Sequence, residues 1–498
     1  MGKSWRRGKF STVAIILQLV MLALFAIFVE YDSSADPRKD KSFYQASYKK
    51  QLDNMSSHDD HGGGHDQPTI AEYYPFFQDV HVMMFVGFGF LMTFMRRYSF
   101  SSLGFNFLIA SFVIQWACLM AGFLHLHDGK ILINMYTLLT SDFAAAAVLI
   151  TFGAVLGRTS PLQLLVMSVL EIVVFQVNEW LGLSIFKAID VGGSMFVHVF
   201  GAYFGCAVAA VIYYKDEVEN AAHKERPVYD SDLFSLIGTL FLWMCWPSFN
   251  AALAPGDDKL RAVLNTYFAL ASCTVITFAF SILTSKEDKI DIEHIQNSTL
   301  AGGVAVGTVA DLNIHPWGAI VIGIVSAIVS CLGFTYVSPW MANKLRIHDS
   351  CGVNNLHGMP GIIAGIAGII MAAMASEELY GASLYQIYPA MAPKNGTAEW
   401  DAFHKKYTLE AGDGRTPREQ ALWQLCALGV TIGMSIVGGI ITGLVLRLPI
   451  WNRPHQAKLF EDTEFWEVPD GYPPEPPRIE ERDEKTGVVL TNDFISRI

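Results

Sequence analysis

One short pattern occurs twice in this chain: an aspartate followed eight residues later by a histidine, in apolar, glycine-rich surroundings. The two copies are Asp190 to His198 and Asp349 to His357. Uncharged residues follow both, so each histidine is predicted to lie about 12 Å along a membrane-spanning helix from its aspartate. Ionisable side chains that deep in a bilayer are costly and are commonly functional. The repetition predicts one site that uses both histidines.

The apolar residues fall in long runs rather than in amphipathic stripes. Of the 498 residues, 52% are hydrophobic and only 16% are charged, which is typical of an all-α polytopic membrane protein. Twelve transmembrane helices are predicted from run length, at 11–29, 77–95, 102–124, 133–157, 161–181, 193–214, 233–253, 262–284, 295–310, 316–338, 355–375 and 419–446. Residues 295–310 form the weakest of these segments, since they are few, small and partly polar.

Five helices separate the two histidine positions, because His198 falls in the sixth segment and His357 in the eleventh. A repeat with an odd number of helices inserts its second copy upside down. We therefore predict two inverted five-helix repeats, about 77–214 and 233–375, with one extra helix at each end. The inversion brings both imidazoles towards one midplane.

These segments divide the chain into four parts. They are a cytoplasmic N-terminus with the first helix at 1–30, an extracellular segment at 31–76, a channel domain at 77–446 that ends with the helix 419–446, and a cytoplasmic tail at 447–498.

Basic residues in the short loops predict the orientation. One side holds Arg96, Arg97, Arg158, Lys215, Lys224, Arg226, Lys286, Lys289, Lys344 and Arg346, and the other holds Lys130, Lys187, Lys259 and Arg261. Basic residues favour the cytoplasmic side, so both termini are predicted to be cytoplasmic. The alternative for the first helix is a cleaved signal peptide, which would leave the later helices oriented in the same way.

Several classes of site and partner are disfavoured. The seven cysteines lie in or beside the apolar segments and indicate no disulfide framework. A net charge of −12 argues against nucleic acid as a partner. His58, His61 and His65 could bind a metal, but a solvated loop is the favoured interpretation. We expect no metal, no cofactor and no enzymatic activity.

The repeated histidines and aspartates offer different chemistry. A neutral imidazole has one donor and one acceptor nitrogen, so two of them can hydrogen-bond a small polar guest without a fixed charge that would trap an ion. The alternative is a pair of unrelated core histidines. Asp190 and Asp349 are interpreted first as helix N-caps, and alternatively as groups that polarise the site towards cations.

Four phrases resemble a known family. NEWLGLSIFKAIDVGGSMFVHVFGAYFG, SDLFSLIGTLFLWMCWPSFN, HIQNSTLAGGVAVGT and GVNNLHGMPGII are similar to signature blocks of the Rh glycoprotein branch of the ammonium transporter (Amt/Rh) family. The resemblance covers most of 77–376. It implies a homotrimeric channel for ammonia or ammonium in the plasma membrane, with one pore in each subunit.

The resemblance also implies roles for single residues. It identifies His198 and His357 as the pore histidines, Phe143 and Phe249 as the gate, Asp190 as the family's aspartate, Glu179 as the acidic residue of the outer vestibule, and Asp142, Asp232 and Asp291 as carboxylates that shuttle protons or cations. The last three could equally be caps or loop charges. The chain departs from bacterial-type members at Leu253, where those carry a serine of an outer cation site, and this weakens the expectation of such a site.

Two sequons suggest glycosylation. Asn54 begins Asn-Met-Ser in the long outward segment and is favoured, whereas Asn395 begins Asn-Gly-Thr and is the less favoured of the two. The tail at 447–498 is polar and proline-rich after its first residues, so it could bind a cytoplasmic partner.

The sequence therefore predicts a channel that conducts neutral ammonia. Alternatives are a channel for carbon dioxide or another small gas and a non-conducting membrane scaffold, although the resemblance implies that such scaffolds tend to lose the twin histidines. An intramembrane metalloenzyme is disfavoured because no third ligand has suitable spacing.

Overall fold

The computed structural model describes residues 3–36, 70–214, 224–405, 410–469, 480–482 and 489–491. Asn54 and the histidines at 58, 61 and 65 lie outside these ranges. The described chain is almost entirely helical, which confirms the all-α class.

Eleven helices in the described ranges are long and apolar enough to cross a membrane. They are α1 Gly8–Phe28, α2 Glu72–Phe94, α3 Ser99–Phe123, α4 Met135–Ala154, α5 Pro161–Ile185, α6 Ser194–Val211, α7 Tyr229–Ala251, α8 Asp258–Thr284, α10 His315–Leu345, α11 Asn354–Met374 and α12 Pro417–Leu446. The label α9 belongs to an interrupted helical segment between α8 and α10.

The ninth predicted segment, 295–310, is helical but interrupted. We call it α9 and define it as 292–309, which consists of Ile292–Asn297, Ser298–Leu300, Ala301–Val306 and Gly307–Val309 in succession. Glycine has low helix propensity, and hydroxyl side chains compete for backbone carbonyls, as Thr299 does at the carbonyl of Ile295. The twelve predicted segments thus correspond to eleven long helices and one broken one.

Side-chain caps begin several of the long helices. The Ser160 side chain accepts a hydrogen bond from the Gln163 amide at the start of α5, and the Gln163 side chain accepts from the Ser160 amide. Thr416 and Glu419 form the same reciprocal pair at the start of α12. A proline occupies the first turn of both helices, where its missing N–H costs nothing.

The helices that carry small residues lie at the centre. In the most apolar windows of α4 and α6, 83% of residues are buried, against 6% in α1. Gly201 on α6 packs so closely on α4 that a Cβ there would lie 2.6 Å from the carbonyl oxygen of Ala147. The small residues therefore bring the backbone of α6, which carries His198, into the middle of the molecule.

Both ends of the described helical domain meet at one face. Lys9 donates to the carbonyl of Ile450, which follows α12. The amide of Phe460 donates to the carbonyl of Gly157, which follows α4. The beginning of α1, the end of α4 and the segment after α12 therefore share a face, as the predicted topology requires. The orientation of that face relative to a membrane stays a prediction.

The few strands are short. Strand β1, Val29–Tyr31, pairs in parallel with β2, Ile131–Ile133, at the opposite face. Strand β3, Glu480–Arg482, pairs antiparallel with β4, Val489–Thr491. Between α11 and α12 the chain forms the short helices Glu377–Tyr380, Leu384–Ile387 and Ala398–His404.

Candidate pore site

The two aspartate phrases fold alike, and each carboxylate caps the helix that carries its histidine. The amides of Met195 and Phe196 donate to Asp190 at 2.8 and 2.9 Å, and those of Val353 and Asn354 donate to Asp349 at 3.0 and 2.9 Å. The glycine three residues after each aspartate has a left-handed backbone, with φ of 65° at Gly193 and 67° at Gly352. Glycine adopts this conformation without a steric penalty, so both turns need it. The geometry matches the cap interpretation.

The two histidines meet in the core. Their Nδ1 atoms lie 3.1 Å apart, and the ring planes differ by 7°. The rings are nearly inaccessible, with His198 1% and His357 3% exposed. Two residues that are 159 positions apart in sequence therefore form one hydrogen-bonded pair, as the repeated phrase predicts.

The Nδ1 to Nδ1 contact requires one proton between the two rings. If both nitrogens lacked a proton, two lone pairs would face each other, and if both carried one, two N–H groups would collide. In a neutral pair, one ring therefore donates from Nδ1 and offers Nε2 as an acceptor, and the other carries its proton on Nε2. The Nε2 atom of His198 is buried without a partner, so it is available to a small polar guest.

Aromatic rings cover the histidine pair on one side. Phe143 of α4 and Phe249 of α7 stack with ring centroids 4.1 Å apart, and both are buried. The ring of Phe249 also lies 5.6 Å from that of His198. The predicted gate residues thus lie together, directly against the histidine pair.

Two further rings complete the lining, and the sequence analysis did not predict them. Trp246 stacks on His198 with centroids 5.6 Å apart, and Phe88 of α2 lies 6.1 Å from His357. Trp246 precedes Phe249 by three residues, which is about one helical turn, and this spacing could have identified it. Phe88 belongs to a continuous apolar run in which no signal distinguishes it.

Asp190 and Glu179 lie near each other. The hydroxyl of Thr308, in α9, donates to Asp190 at 2.6 Å, so the cap also ties the broken helix to α6. Glu179, on α5, is close enough to Asp190 and Tyr136 to interact with them electrostatically. Glu179, the residue predicted for the outer vestibule, therefore lies near the cap of the α6 helix.

Asp142 precedes Phe143, the predicted gate residue, and contacts a histidine outside the central pair. It is fully buried and pairs with His81 of α2 at 3.0 Å. The imidazole of His81 is 41% exposed, stacks on Phe77 and lies tilted against the ring of Phe85. Asp142 thus connects α4 to the partly exposed face of α2 that carries His81.

Asp232 and Asp291 lie together near the first turn of α9. Gln296 donates to Asp232 at 3.1 Å. Asp291 accepts from the amide of Glu293 at 2.9 Å and begins α9 as a cap. Glu293, which the sequence analysis overlooked, is exposed beside them. These carboxylates form an acidic group apart from the histidine pair.

Within the described ranges, no three histidine, cysteine, aspartate or glutamate residues are arranged to hold a metal ion. The seven cysteines are all free thiols.

The buried histidine pair, the stacked phenylalanines and the eleven long apolar helices define a multi-span membrane protein with a central polar site. A sequence profile of the Ammonium Transporter Family matches residues 62–463. The chain belongs to this family, within its Rh branch.

Its relatives cover nearly the whole chain. Ammonium transporter Rh type B of Xenopus tropicalis is 46% identical over 467 residues, which cover 93% of this chain and 94% of the relative. Ammonium transporter Rh type C of Homo sapiens is 45% identical over 478 residues, which cover 95% and 93%.

Solved structures show a similar fold. Rh50 of Nitrosomonas europaea superposes with a TM-score of 0.64 at 30% identity, over 80% of this chain and 92% of the other. Mep2 of Saccharomyces cerevisiae, at 17% identity, has a TM-score of 0.59 over 80% of this chain and 93% of its own, and shares the fold.

Proposed function

We propose that this chain is a channel that carries ammonia across the plasma membrane as a neutral molecule. The relatives' names, ammonium transporter Rh type B and type C, give the substrate class. One observation carries the proposal: two buried histidines share a single hydrogen bond behind two stacked phenylalanines.

The histidine pair disfavours passage of the ammonium cation. A neutral pair offers hydrogen bonds but no negative charge to replace the lost water of a cation, and desolvation of an unpaired charge is very costly. A protonated pair would repel the cation. In either protonation state of the pair, ammonium gives up its proton to water before or at the phenylalanine pair. Neutral ammonia then accepts or donates hydrogen bonds along the imidazoles.

The carboxylates have separate proposed roles. Glu179 attracts ammonium to the outer vestibule, Asp190 and Asp349 mainly cap the pore helices, and the acidic group of Asp232 and Asp291 lies at the inner end. Asp142 is the least suited to receive a proton from the pore, because its side chain faces His81.

The test uses purified protein in liposomes. An ammonia gradient is applied, and internal pH and current are recorded together. Wild-type protein is expected to alkalinise the lumen quickly without a matching current. His198→Leu and His357→Leu should each slow the pH change while leaving expression and melting temperature close to wild type. His125→Leu, which changes an exposed loop histidine, is the matched control.

Three outcomes would overturn parts of this account. Wild-type flux in both pore variants would remove the histidines from the path. Carbon dioxide flux without ammonia flux would favour the other gas, and no flux of either would favour a scaffold.

We further propose that the protein forms a homotrimer through the face of α2 that carries His81. Tyr74 and, on α3, Phe107 are 41% and 63% exposed on this face. A half-exposed imidazole paired to a carboxylate is poorly suited to lipid, so a neighbouring subunit is the better cover. Native mass spectrometry should detect three chains, and a monomer would contradict the assignment.

The proposed orientation rests on the loop charges, and the proposed glycosylation rests on the two sequons. We propose cytoplasmic termini, with Asn54 as the main glycan site and the exposed Asn395 as a minor one. Deglycosylation of the expressed protein should change its mobility, and Asn54→Gln should remove most of that change. A C-terminal tag that is detected on intact cells would show the reverse orientation.

A further inference from the structure

Glu171 is a carboxyl group in the middle of α5 that the proposed pore does not use. Glu171 is fully buried. Oε1 lies 2.6 Å from the hydroxyl of Thr151 on α4, and Oε2 has no hydrogen-bond partner. Among the described residues, no lysine, arginine or histidine forms an ion pair with it. A charge at this position would have one oxygen without any compensation.

The hydrogen bonds around Thr151 indicate where the protons are. The same hydroxyl oxygen that approaches Glu171 also lies 2.9 Å from the carbonyl oxygen of Gly201 on α6. A threonine hydroxyl has one hydrogen, and a carbonyl can only accept. If Thr151 donates to Gly201, the short contact with Glu171 is a hydrogen bond only when the carboxyl group supplies the proton.

We propose that Glu171 is held as a neutral carboxylic acid whose O–H donates to Thr151, and that this chain of hydrogen bonds positions α6. Thr151 in turn donates its hydroxyl hydrogen to the carbonyl oxygen of Gly201. Gly201 lies three residues, about one turn, beyond His198. Glu171 is thus a positioning residue that links α5 and α4 to the turn below the pore histidine. The neutral acid also leaves no buried charge beside the path.

The second repeat offers an independent comparison. The 159 positions that separate His198 from His357 also separate Glu171 from Ser330. On α10, Ser330 donates to the hydroxyl of Ser298 in α9 at 2.9 Å. The position related by this offset therefore holds a neutral hydroxyl donor that bonds to a neighbouring helix. A protonated glutamate supplies the same kind of group in the first repeat.

Infrared difference spectroscopy tests the protonation state without reference to transport. The spectrum of wild-type protein minus that of Glu171→Gln, at neutral pH, should contain the C=O band of a protonated carboxyl group. In Thr151→Val this band should shift to higher frequency, because the acid loses its acceptor, and in Thr151→Ser it should stay in place. Ser330→Ala should leave the band unchanged. A difference spectrum with only ionised-carboxylate bands would overturn the proposal.

The positioning role rests on the proposed function and is measured separately as ammonia flux. Glu171→Gln keeps an N–H donor towards Thr151 and should retain near wild-type flux, whereas Glu171→Leu and Thr151→Val should lower it several-fold. Should Glu171→Leu fail to fold, Thr151→Val against Thr151→Ser makes the same comparison. Equal flux in those two variants, with the carboxyl band present, would refute positioning but not protonation. Absence of wild-type flux would instead refute the proposed function.

Discussion

At His198 and His357, one proton lies between two nitrogens that are 3.1 Å apart. This arrangement lowers the free-energy cost of burying two polar rings, because each ring hydrogen-bonds to the other along one edge. Only the outer nitrogens then need a partner. An unpaired buried polar group costs about 1–3 kcal/mol, so a small molecule that hydrogen-bonds to the outer nitrogens would be favoured there. A cation at the same place would gain no comparable compensation.

The stacked gate gives the first prediction. Phe143→Ala and Phe249→Ala should each increase leakage of methylammonium and small cations more than they change ammonia flux, because the rings exclude by size and dryness. Liposome currents with methylammonium or sodium measure the leakage. Phe278→Ala, at an exposed position on α8 away from the proposed trimer face, is the control. If both gate variants stay as selective as wild type, the assignment of the gate is wrong.

The aspartate caps give the second prediction. Asp190→Ala removes the acceptor for two amides and for Thr308 and should destabilise the protein by about 1–3 kcal/mol. Asp190→Asn keeps an acceptor oxygen and should preserve most stability and flux. Melting temperature in detergent and liposome flux are compared for both variants. A large loss of flux in Asp190→Asn at unchanged melting temperature would instead assign Asp190 to cation recognition.

The residues of the candidate pore site were predictable from sequence to different degrees. The spacing of Asp190 to His198 and its repetition pointed to the histidine pair, and resemblance to the Rh branch pointed to Phe143 and Phe249. Neither source pointed to Phe88, because a phenylalanine in an apolar run gives no sign of which neighbour it will contact. The partner of Asp142 was also missed, since His81 lies on a different helix.

Among the elements, α9 shows where length and hydropathy lose predictive power. Its glycines are placed by contact rather than by helix propensity: a Cβ on Gly303 would lie 2.7 Å from the ring of Trp246. Close packing at these positions requires small residues. Because glycine has low helix propensity, the same residues make the helix less regular. The predicted boundary at 295 also missed the first turn, because Asp291 begins α9 as a cap.

The segment after α12 is a second element whose structure hydropathy does not predict, because polar contacts hold it against the helices. Asp462 accepts from the amides of Phe100 and Ser101 at 3.0 and 2.7 Å and so caps the start of α3. Lys224 pairs with Glu461 at 2.6 Å. Residues 460–466 are therefore part of the folded domain, although the sequence analysis assigned them to a polar tail.

This docking gives the third prediction, on pH. Burial opposes ionisation of Glu461, but the hydrogen bond and charge of Lys224, with smaller contributions from Thr463 and Lys458, together outweigh it and keep the pKa of Glu461 below its ordinary value. The pair therefore stabilises the docked segment above pH ~4.5, the reference pKa of glutamate, and that stabilisation is lost as pH falls through the lower, folded-state pKa.

Glu461→Gln should remove the same stabilisation of the docked segment at neutral pH. Removal of the pair should cost roughly 1 kcal/mol and raise amide hydrogen exchange in 460–466 about fivefold. Hydrogen exchange with mass spectrometry measures this segment directly. Glu464→Gln, one turn further along, is the control and should leave exchange unchanged. Equal exchange in wild type and Glu461→Gln would show that the pair does not hold the segment.

At the scale of the whole molecule, the described helices surround one buried pair of imidazoles, and the pattern of burial runs outward from α4 and α6 to α1. The number of helices and the meeting of the two histidines could be predicted, because both follow from apolar run length and repetition. A contact face for the proposed neighbouring subunits could not be predicted, since a surface that is apolar towards lipid and one that is apolar towards protein have the same composition. The inverted relation of the two halves stays a prediction.

A neutral permeating species should cross the membrane at a rate that does not depend on membrane potential. Movement of one full charge would couple flux to membrane potential by about 2.3 kcal/mol per 100 mV, enough to change it some fiftyfold at equilibrium. Liposomes are held at several potentials by potassium gradients with valinomycin, under one fixed ammonia gradient, and internal pH and current are recorded. We expect flux that does not change with potential and no current that tracks it. Flux that rises steeply with inside-negative potential, together with a matching inward current, would contradict the neutral mechanism.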